Sequence, residues 1–216
     1  EGVPLLDPGR RYLVTELVTG GDLSRLALAP AEEILPVLVQ LLAALDHLHE
    51  QGVVHRDLKP SNVLLTGEHP PRPKLADFGV VKLAAPQGTD LTGDGSLLGT
   101  VDYLSPEQVR GEALDARSDL YAFGCLVHTL WTGRPPFEGP VVTRLWHRAR
   151  ANPPRLAERA PHAPAGLCAL TDALLARDRE QRPSSAREVA ERLNRVLAEL
   201  PARKEEGPAN VLFPSG

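Results

Sequence analysis

A mainly helical domain with a few short β-strands is the fold class this sequence predicts, and three observations carry it. Apolar residues recur at helical spacing through three long stretches, residues 30–52, 120–133 and 185–199. The β-prone apolar runs are short and all lie before Asp77: Tyr12 to Val18, Val63 to Leu65 and Lys74 to Ala76. A length of 216 residues, with 42% apolar and 24% charged residues, describes one compact chain that can bury a sizeable core.

Taken in order, the run Tyr12 to Val18 reads as a buried strand, ended by a turn at Thr19, Gly20 and Gly21. Pro30 with Glu32 and Glu33 opens a helix, Ile34, Leu38, Leu41, Leu45 and Leu48 carry its apolar stripe, and Gly52 stops it. Pro36 disagrees with that helix, because an interior proline costs about 3 kcal/mol; the helix either starts later than Pro30 or kinks there. Two short strands, Val63 to Leu65 and Lys74 to Ala76, flank a turn over residues 67–73. Residues 84–99, rich in Gly, Asp, Thr and Ser, read as an exposed loop. Leu120, Phe123, Val127, Leu130 and Trp131 mark an apolar helix stopped by Gly133, buried on several sides. Further helices are predicted at 140–150, 166–177 and 185–199, the last opened by a capping box, Ser185 with Glu188. Helical period is lost after Leu200, so residues 1–200 read as the domain and 201–216 as linker. There are no internal repeats.

Composition excludes several classes. No run approaches the roughly 18 to 20 apolar residues of a membrane span, and the first residues lack a signal peptide's charged and apolar regions; a cytoplasmic chain without membrane contact is expected. A net charge of −4, with no local Lys/Arg cluster, argues against nucleic acid. Cys125 and Cys168 have no Cys or His at metal spacing and are expected to be buried free thiols. Without any methionine, Glu1 is not a translation start, and the chain reads as a piece of something longer.

Chemistry concentrates in two strings. Residues 55–62 read His-Arg-Asp-Leu-Lys-Pro-Ser-Asn, and Asp77-Phe78-Gly79 follows fifteen positions after Asn62. Five fixed positions of the first string occur by chance about once in ten thousand unrelated chains of this length. Together the strings resemble the catalytic loop and metal-binding triplet of protein kinases, here the bacterial Hanks-type serine/threonine kinases. The resemblance implies a truncated kinase fold, hinge strand plus C-terminal lobe. It also implies ATP and Mg²⁺ as cofactors, and Ser or Thr of proteins, including this protein itself, as acceptors.

Phosphoryl transfer asks the protein mainly to aim the nucleophile and neutralise charge. By resemblance, Asp57 accepts the substrate hydroxyl's proton, Lys59 reaches the γ-phosphate, and Asn62 and Asp77 hold the metal ions. Lys59 also marks the serine/threonine form of the loop. His55 is similar to the histidine that packs beneath Phe78, ahead of Gly79, and supports the loop. Gly99 to Glu107 resembles the substrate-facing loop, with Ser-Pro-Glu for the commoner Ala-Pro-Glu. In it Thr100 bridges Asp57 and Lys59, Glu107 pairs with Arg182, and Asp119 anchors the catalytic loop. Glu16 and Val18 match the hinge positions that meet adenine, Thr15 the gatekeeper, Asp22 the ribose contact and Leu64 the residue under the adenine ring. Arg56 offers a cation to a phosphate on the activation loop, where Thr89, Thr92 and Ser96 are candidate acceptors. Thr92, eight residues before Thr100, is foremost, with Asp94 close by.

No glycine-rich phosphate loop is found and no lysine precedes His55, so the resemblance covers about residues 10–200 and the chain alone is expected to be inactive. Two other readings compete: a pseudokinase or interaction scaffold, against which Asp57, Asn62 and Asp77 stand intact, and a small-molecule kinase of the aminoglycoside phosphotransferase type. Asp77-Phe78-Gly79, Lys59 and the Thr100 to Glu107 segment oppose the second.

Overall fold

Helix α1, Ala31–Glu50, turns Ile34, Leu35, Leu38, Leu41, Leu42 and Leu45 into the core, in a computed structural model that describes residues 14–77 and 101–201. The helix starts at Ala31 and runs through Pro36, which lies within its second turn. It stops as the sequence predicts. The Gly52 N–H bonds to His49 O and the Val53 N–H to Leu48 O, the paired bonds of a Schellman cap.

A 3₁₀ turn, Pro60–Asn62, leads into strand β1, Val63–Leu65, paired antiparallel with β2, Pro73–Leu75, in the register Val63 to Leu75, Leu64 to Lys74 and Leu65 to Pro73. β2 thus sits one residue earlier than its apolar run. Pro73 is tolerated at the strand's first position, where a missing N–H costs least. The expected buried strand over Tyr12 to Val18 is not found in its described part. Residues 14–18 form no strand, and Val14 and Leu17 are 89% and 88% exposed. β-propensity alone does not make a strand without a neighbour to pair with, and no described strand pairs its backbone with these residues.

Six helices follow the 3₁₀ turn Val101–Tyr103. Helix α2, Pro106–Arg110, has a reciprocal capping box between Ser105 and Gln108 that the sequence reading missed. Helix α3, Ala116–Thr132, starts earlier than its apolar stripe because Asp115 caps it through the Arg117 N–H. It is buried along nearly its whole length. Helix α4 spans Val141–Arg150, the short α5 Leu156–Arg159, and α6 Ala165–Leu174. The last was expected to reach 177; instead the Ala176 and Arg177 carbonyls leave helical geometry and accept from Arg182. Helix α7, Ala186–Ala198, completes the series. Its N-cap is Ser185, but the capping box is only half formed: the Glu188 carboxylate accepts from Ser184 N–H and Oγ.

The main core cluster joins α1, β1, α3, α6 and α7, and a smaller one gathers Tyr121, Cys125 and Leu175. α1 packs on α7, α3 on α6, and α2 on α4. Cys125 and Cys168 are buried free thiols. No helix among the described residues is long and apolar enough to cross a membrane. The predicted loop over 84–99 and the linker from 202 onward lie outside the described residues.

Candidate active site

One buried carboxylate places the catalytic-loop backbone. Asp119, in the first turn of α3, is 1% exposed; its Oδ2 accepts the His55 N–H and its Oδ1 the Arg56 N–H, both at 2.8 Å. A third donor, Nε2 of His49 at the end of α1, reaches Oδ2 at 2.9 Å. A buried charge is tolerable only when donors surround it, and such charge-assisted bonds are the strong ones. Their strength is used against strain. Arg56 holds φ +69, a left-handed conformation that costs a non-glycine residue on the order of 1–3 kcal/mol. Gln108 adds a further tie, its Nε2 donating to Arg56 O at 2.8 Å.

His55 is fully buried and works as a brace. Its Nε2 donates to Ala76 O at 3.2 Å, linking the loop to the residue before Asp77, while Nδ1 accepts a long bond of 3.4 Å from the Asp57 N–H. The Asp57 carboxylate is itself held: Oδ2 meets Lys59 Nζ at 3.2 Å and accepts from Asn62 Nδ2 at 3.1 Å. The same Nδ2 donates to Asp57 O at 2.8 Å, so Asn62, 4% exposed, locks both main chain and side chain of Asp57. Asn62 O in turn accepts the Ala76 N–H at 2.9 Å. That bond extends the β1–β2 ladder and sets Asp77 beside Asn62. Asp77 is exposed, with φ +53.

Asn62 and Asp77 are the residues that could hold a metal. Among the described residues no group of three or more His, Cys, Asp or Glu forms a metal cluster. One amide and one carboxylate fit Mg²⁺ nonetheless, a hard cation that keeps waters and takes phosphate oxygens alongside one or two protein oxygens.

Ahead of α1, the Gly20 N–H donates to Leu65 O at 2.9 Å, and any Cβ at position 20 would lie 2.3 Å from the carbonyl oxygens of Leu65 and Thr66. Only glycine lets the two backbones approach this closely. The approach brings Asp22 opposite Leu64 in an isolated antiparallel bridge. The Asp22 Oδ1 caps the 3₁₀ turn Leu23–Leu26 through the Ser24 N–H at 2.9 Å. Leu64 is half-buried between the fully packed Val63 and Leu65, so strand alternation turns it away from the core. Val18 is half-buried; Thr15 and Glu16 are exposed, and Glu16 forms an ion pair with Lys74 of β2. Thr100, Phe78, Gly79, Thr89, Thr92 and Ser96 lie outside the described residues.

Glu107 and Arg182 meet in a bidentate pair, Nη1 to Oε1 at 2.7 Å and Nη2 to Oε2 at 2.9 Å, both side chains almost wholly buried. Ser118 Oγ donates to the same Oε1 at 2.7 Å. Burial pushes the Glu107 carboxyl up, but the hydrogen bond and charge of Arg182, with Ser118, outweigh it and hold the group at about 2. Arg182 further donates to Ala176 O, Arg117 O and Arg177 O and stacks over the Tyr121 ring at 4.8 Å.

A second buried arginine was missed by the sequence reading. Arg148 of α4 is fully buried, donates to Asp102 O at 2.7 Å and Leu104 O at 2.8 Å, and lies over the rings of Phe137 and Tyr121. It pins the segment just before Ser105-Pro106-Glu107. The helical stripe of α4 carried no signal for it, since arginine there reads as a solvated face. His49 was missed for the same reason.

Residues 5–193 match the protein kinase domain family. The chain is 39% identical over 201 residues to the serine/threonine-protein kinase pkn2 of Myxococcus xanthus, covering 88% of this chain and 24% of that protein. It is 39% identical over 185 residues to a probable serine/threonine-protein kinase of Streptomyces coelicolor, covering 82% and 27% respectively. With the serine/threonine-protein kinase PknB of Mycobacterium tuberculosis it shares 35% over 192 residues, covering 86% and 30%. The chain thus spans between about a quarter and a third of the length of these curated relatives. The crystal structure of the Mycobacterium tuberculosis PknI kinase domain superposes with a TM-score of 0.64 at 29% identity, over 84% of this chain and 64% of that one. On this match, across most of its length and with bacterial serine/threonine kinases as its relatives, the chain belongs to the protein kinase domain family.

Proposed function

We propose that this chain supplies the catalytic lobe of a serine/threonine protein kinase, which moves the γ-phosphoryl group of ATP to a Ser or Thr hydroxyl of a protein. The observation that carries the reading is the Asp57 carboxylate, held by Lys59 and Asn62 on a backbone that Asp119 clamps. A group held this way takes the acceptor's proton without first reorganising, and positioning of that kind is most of what phosphoryl transfer requires. Lys59 Nζ, 3.2 Å from Asp57, presents a cation where the transferred phosphate's charge would lie. Mg²⁺, when bound by Asn62 Oδ1 and the Asp77 carboxylate, supplies further charge neutralisation. Leu64 and Asp22, side by side on one edge, suit an adenine face and a ribose hydroxyl.

Regulation belongs to the same reading. Arg56 Nε is buried with no hydrogen-bond partner among the described residues, which suits a phosphate on Thr92 of the activation loop. Autophosphorylation and a cytoplasmic location are part of the proposal.

The test compares the 216-residue chain alone with the same chain joined to whatever its reading frame encodes ahead of Glu1, following labelled phosphate from Mg-ATP onto a Ser/Thr acceptor. Turnover is expected only from the joined chain. In it, Asp57→Asn should abolish transfer and keep Mg-ATP affinity, whereas Asp77→Asn should lose both. Equal loss of Mg-ATP affinity in the two variants would contradict their assigned roles, and no transfer by either preparation would reject the enzyme.

A further inference from the structure

Helix α4 has its charge inside. Its sequence carries three arginines and reads as a surface helix, yet Val142 and Trp146, one turn apart, are 78% and 54% exposed. Arg148 is fully buried instead, and Arg144, one turn before it, keeps only 12% of its side chain exposed. Leaving valine and tryptophan in water while guanidinium groups are buried reverses the usual order of burial. Both inward arginines go to one short segment. Arg144 pairs with the Asp102 carboxylate, while Arg148 donates from Nη2 to Asp102 O at 2.7 Å and from Nη1 to Leu104 O at 2.8 Å.

No carboxylate pairs with Arg148 among the described residues. The guanidinium rests on those two carbonyls, on the Cys125 thiol at 3.3 Å and on the rings of Phe137 and Tyr121. For stability alone, a hydrophobic side chain of similar volume often serves a buried site as well as a charge does. What arginine supplies is a planar fork whose donors fix two carbonyls at once. The segment so fixed lies next to the chemistry. A single amide spans the gap: Gln108 Oε1 accepts the Ser105 N–H at 2.8 Å, and its Nε2 donates to Arg56 O at 2.8 Å, one residue before Asp57. An acceptor chain with its hydroxyl at Asp57 therefore has its flanking residues within reach of residues 102–104, which are half-buried.

We propose that Arg148 is a positioning residue for the protein acceptor: by fixing the carbonyls of Asp102 and Leu104 it shapes the surface that binds the residues flanking the acceptor Ser or Thr, with Arg144 as its outer partner. The inference rests on the kinase reading above.

The test uses the chain joined to what its reading frame encodes ahead of Glu1, with Mg-ATP and myelin basic protein as acceptor. Arg148→Met keeps the length and the ring contacts but donates nothing; it should raise the acceptor KM at least about tenfold, with kcat and the ATP KM within about twofold of the parent. Arg148→Lys, whose one ammonium cannot hold both carbonyls, should regain only part and stay at least about threefold above the parent. Arg144→Gln frees the Asp102 carboxylate without opening the core and should raise the acceptor KM by about threefold. Thermal unfolding checks that each variant folds, and Arg144→Gln decides the matter if Arg148→Met does not. Amide exchange within residues 101–108 should quicken in these variants, while that within residues 34–48 stays as in the parent. An acceptor KM unmoved in the folded variants, or acceptor and ATP KM rising together, would overturn the proposal and leave the kinase reading standing. A parent without any transfer would overturn both.

Discussion

At the residue scale, the Glu107–Arg182 pair shows how an ion pair's surroundings decide its energetics. An isolated buried pair loses the same contact whichever partner is removed, typically about 3–5 kcal/mol because the other charge is stranded. Arg182 is not isolated: it also serves three carbonyls and stacks on Tyr121. Arg182→Ala should therefore destabilise more than Glu107→Ala in urea unfolding, and the double variant should cost less than the sum, with a coupling on the order of 1–3 kcal/mol. Additive losses would show that the pair does not act as one unit. The pH dependence follows in sign. The Glu107 carboxyl titrates lower in the folded chain than its ordinary 4.5, so its stabilisation is whole above that value and is lost as pH falls toward about 2. Glu107→Gln should flatten the unfolding midpoint across that acid window and leave the rest of the profile in place.

At the scale of elements, α3 is the post on which the site hangs, and its fit against α6 depends on one missing methyl group. A Cβ on Gly124 would lie 2.8 Å from the Leu174 Cβ and 3.2 Å from the Leu175 side chain, a clash among packed atoms that cannot swing aside. Intrinsic helix propensity favours alanine there by about 1 kcal/mol. Overpacking works the other way and typically costs 1–3 kcal/mol. Gly124→Ala should lower stability, measured by thermal or urea unfolding, even though it improves the helix. A stabilised variant would mean that α6 yields freely, and that the α3–α6 contact does not hold Asp119 in place as described. The neighbouring α4 contributes differently, through the buried Arg148 that fastens residues 102–104 to the helix packed on α2.

For the whole molecule, burial outweighs surface charge. Arg187 bridges α7 to Asp46 and Glu50 of α1, but it is 62% exposed, and exposed pairs contribute about 0–1 kcal/mol. Leu45, fully buried on α1, the helix that packs on α7, should cost about 2–5 kcal/mol when cut to alanine. Urea unfolding of Arg187→Ala and Leu45→Ala at low and high salt separates the two effects, and only the first should depend on salt. A larger loss from Arg187→Ala would make the interface electrostatic. The same contrast explains what could be read without coordinates. The periods of α1, α3 and α7, the Gly52 and Gly133 stops, and the two motif strings each lie within a few dozen neighbouring residues, where local geometry alone relates one side chain to the next. The sequence by itself therefore determined the helical fold class, the family and the residues on which chemistry would fall. Local rules erred where a distant partner intervenes. Residues 14–18 have β-propensity but no described neighbour to pair with; α6 ends early because Arg182 takes its following carbonyls; Glu188 prefers Ser184 to its own cap. Only the tertiary structure decided that His49 joins the catalytic loop on Asp119, that Arg148 is buried rather than solvated, and that Leu28 is held strained beside an open groove. Each of those depends on atoms brought together across dozens of intervening residues, where a chain offers many equivalent pairs and packing selects among them.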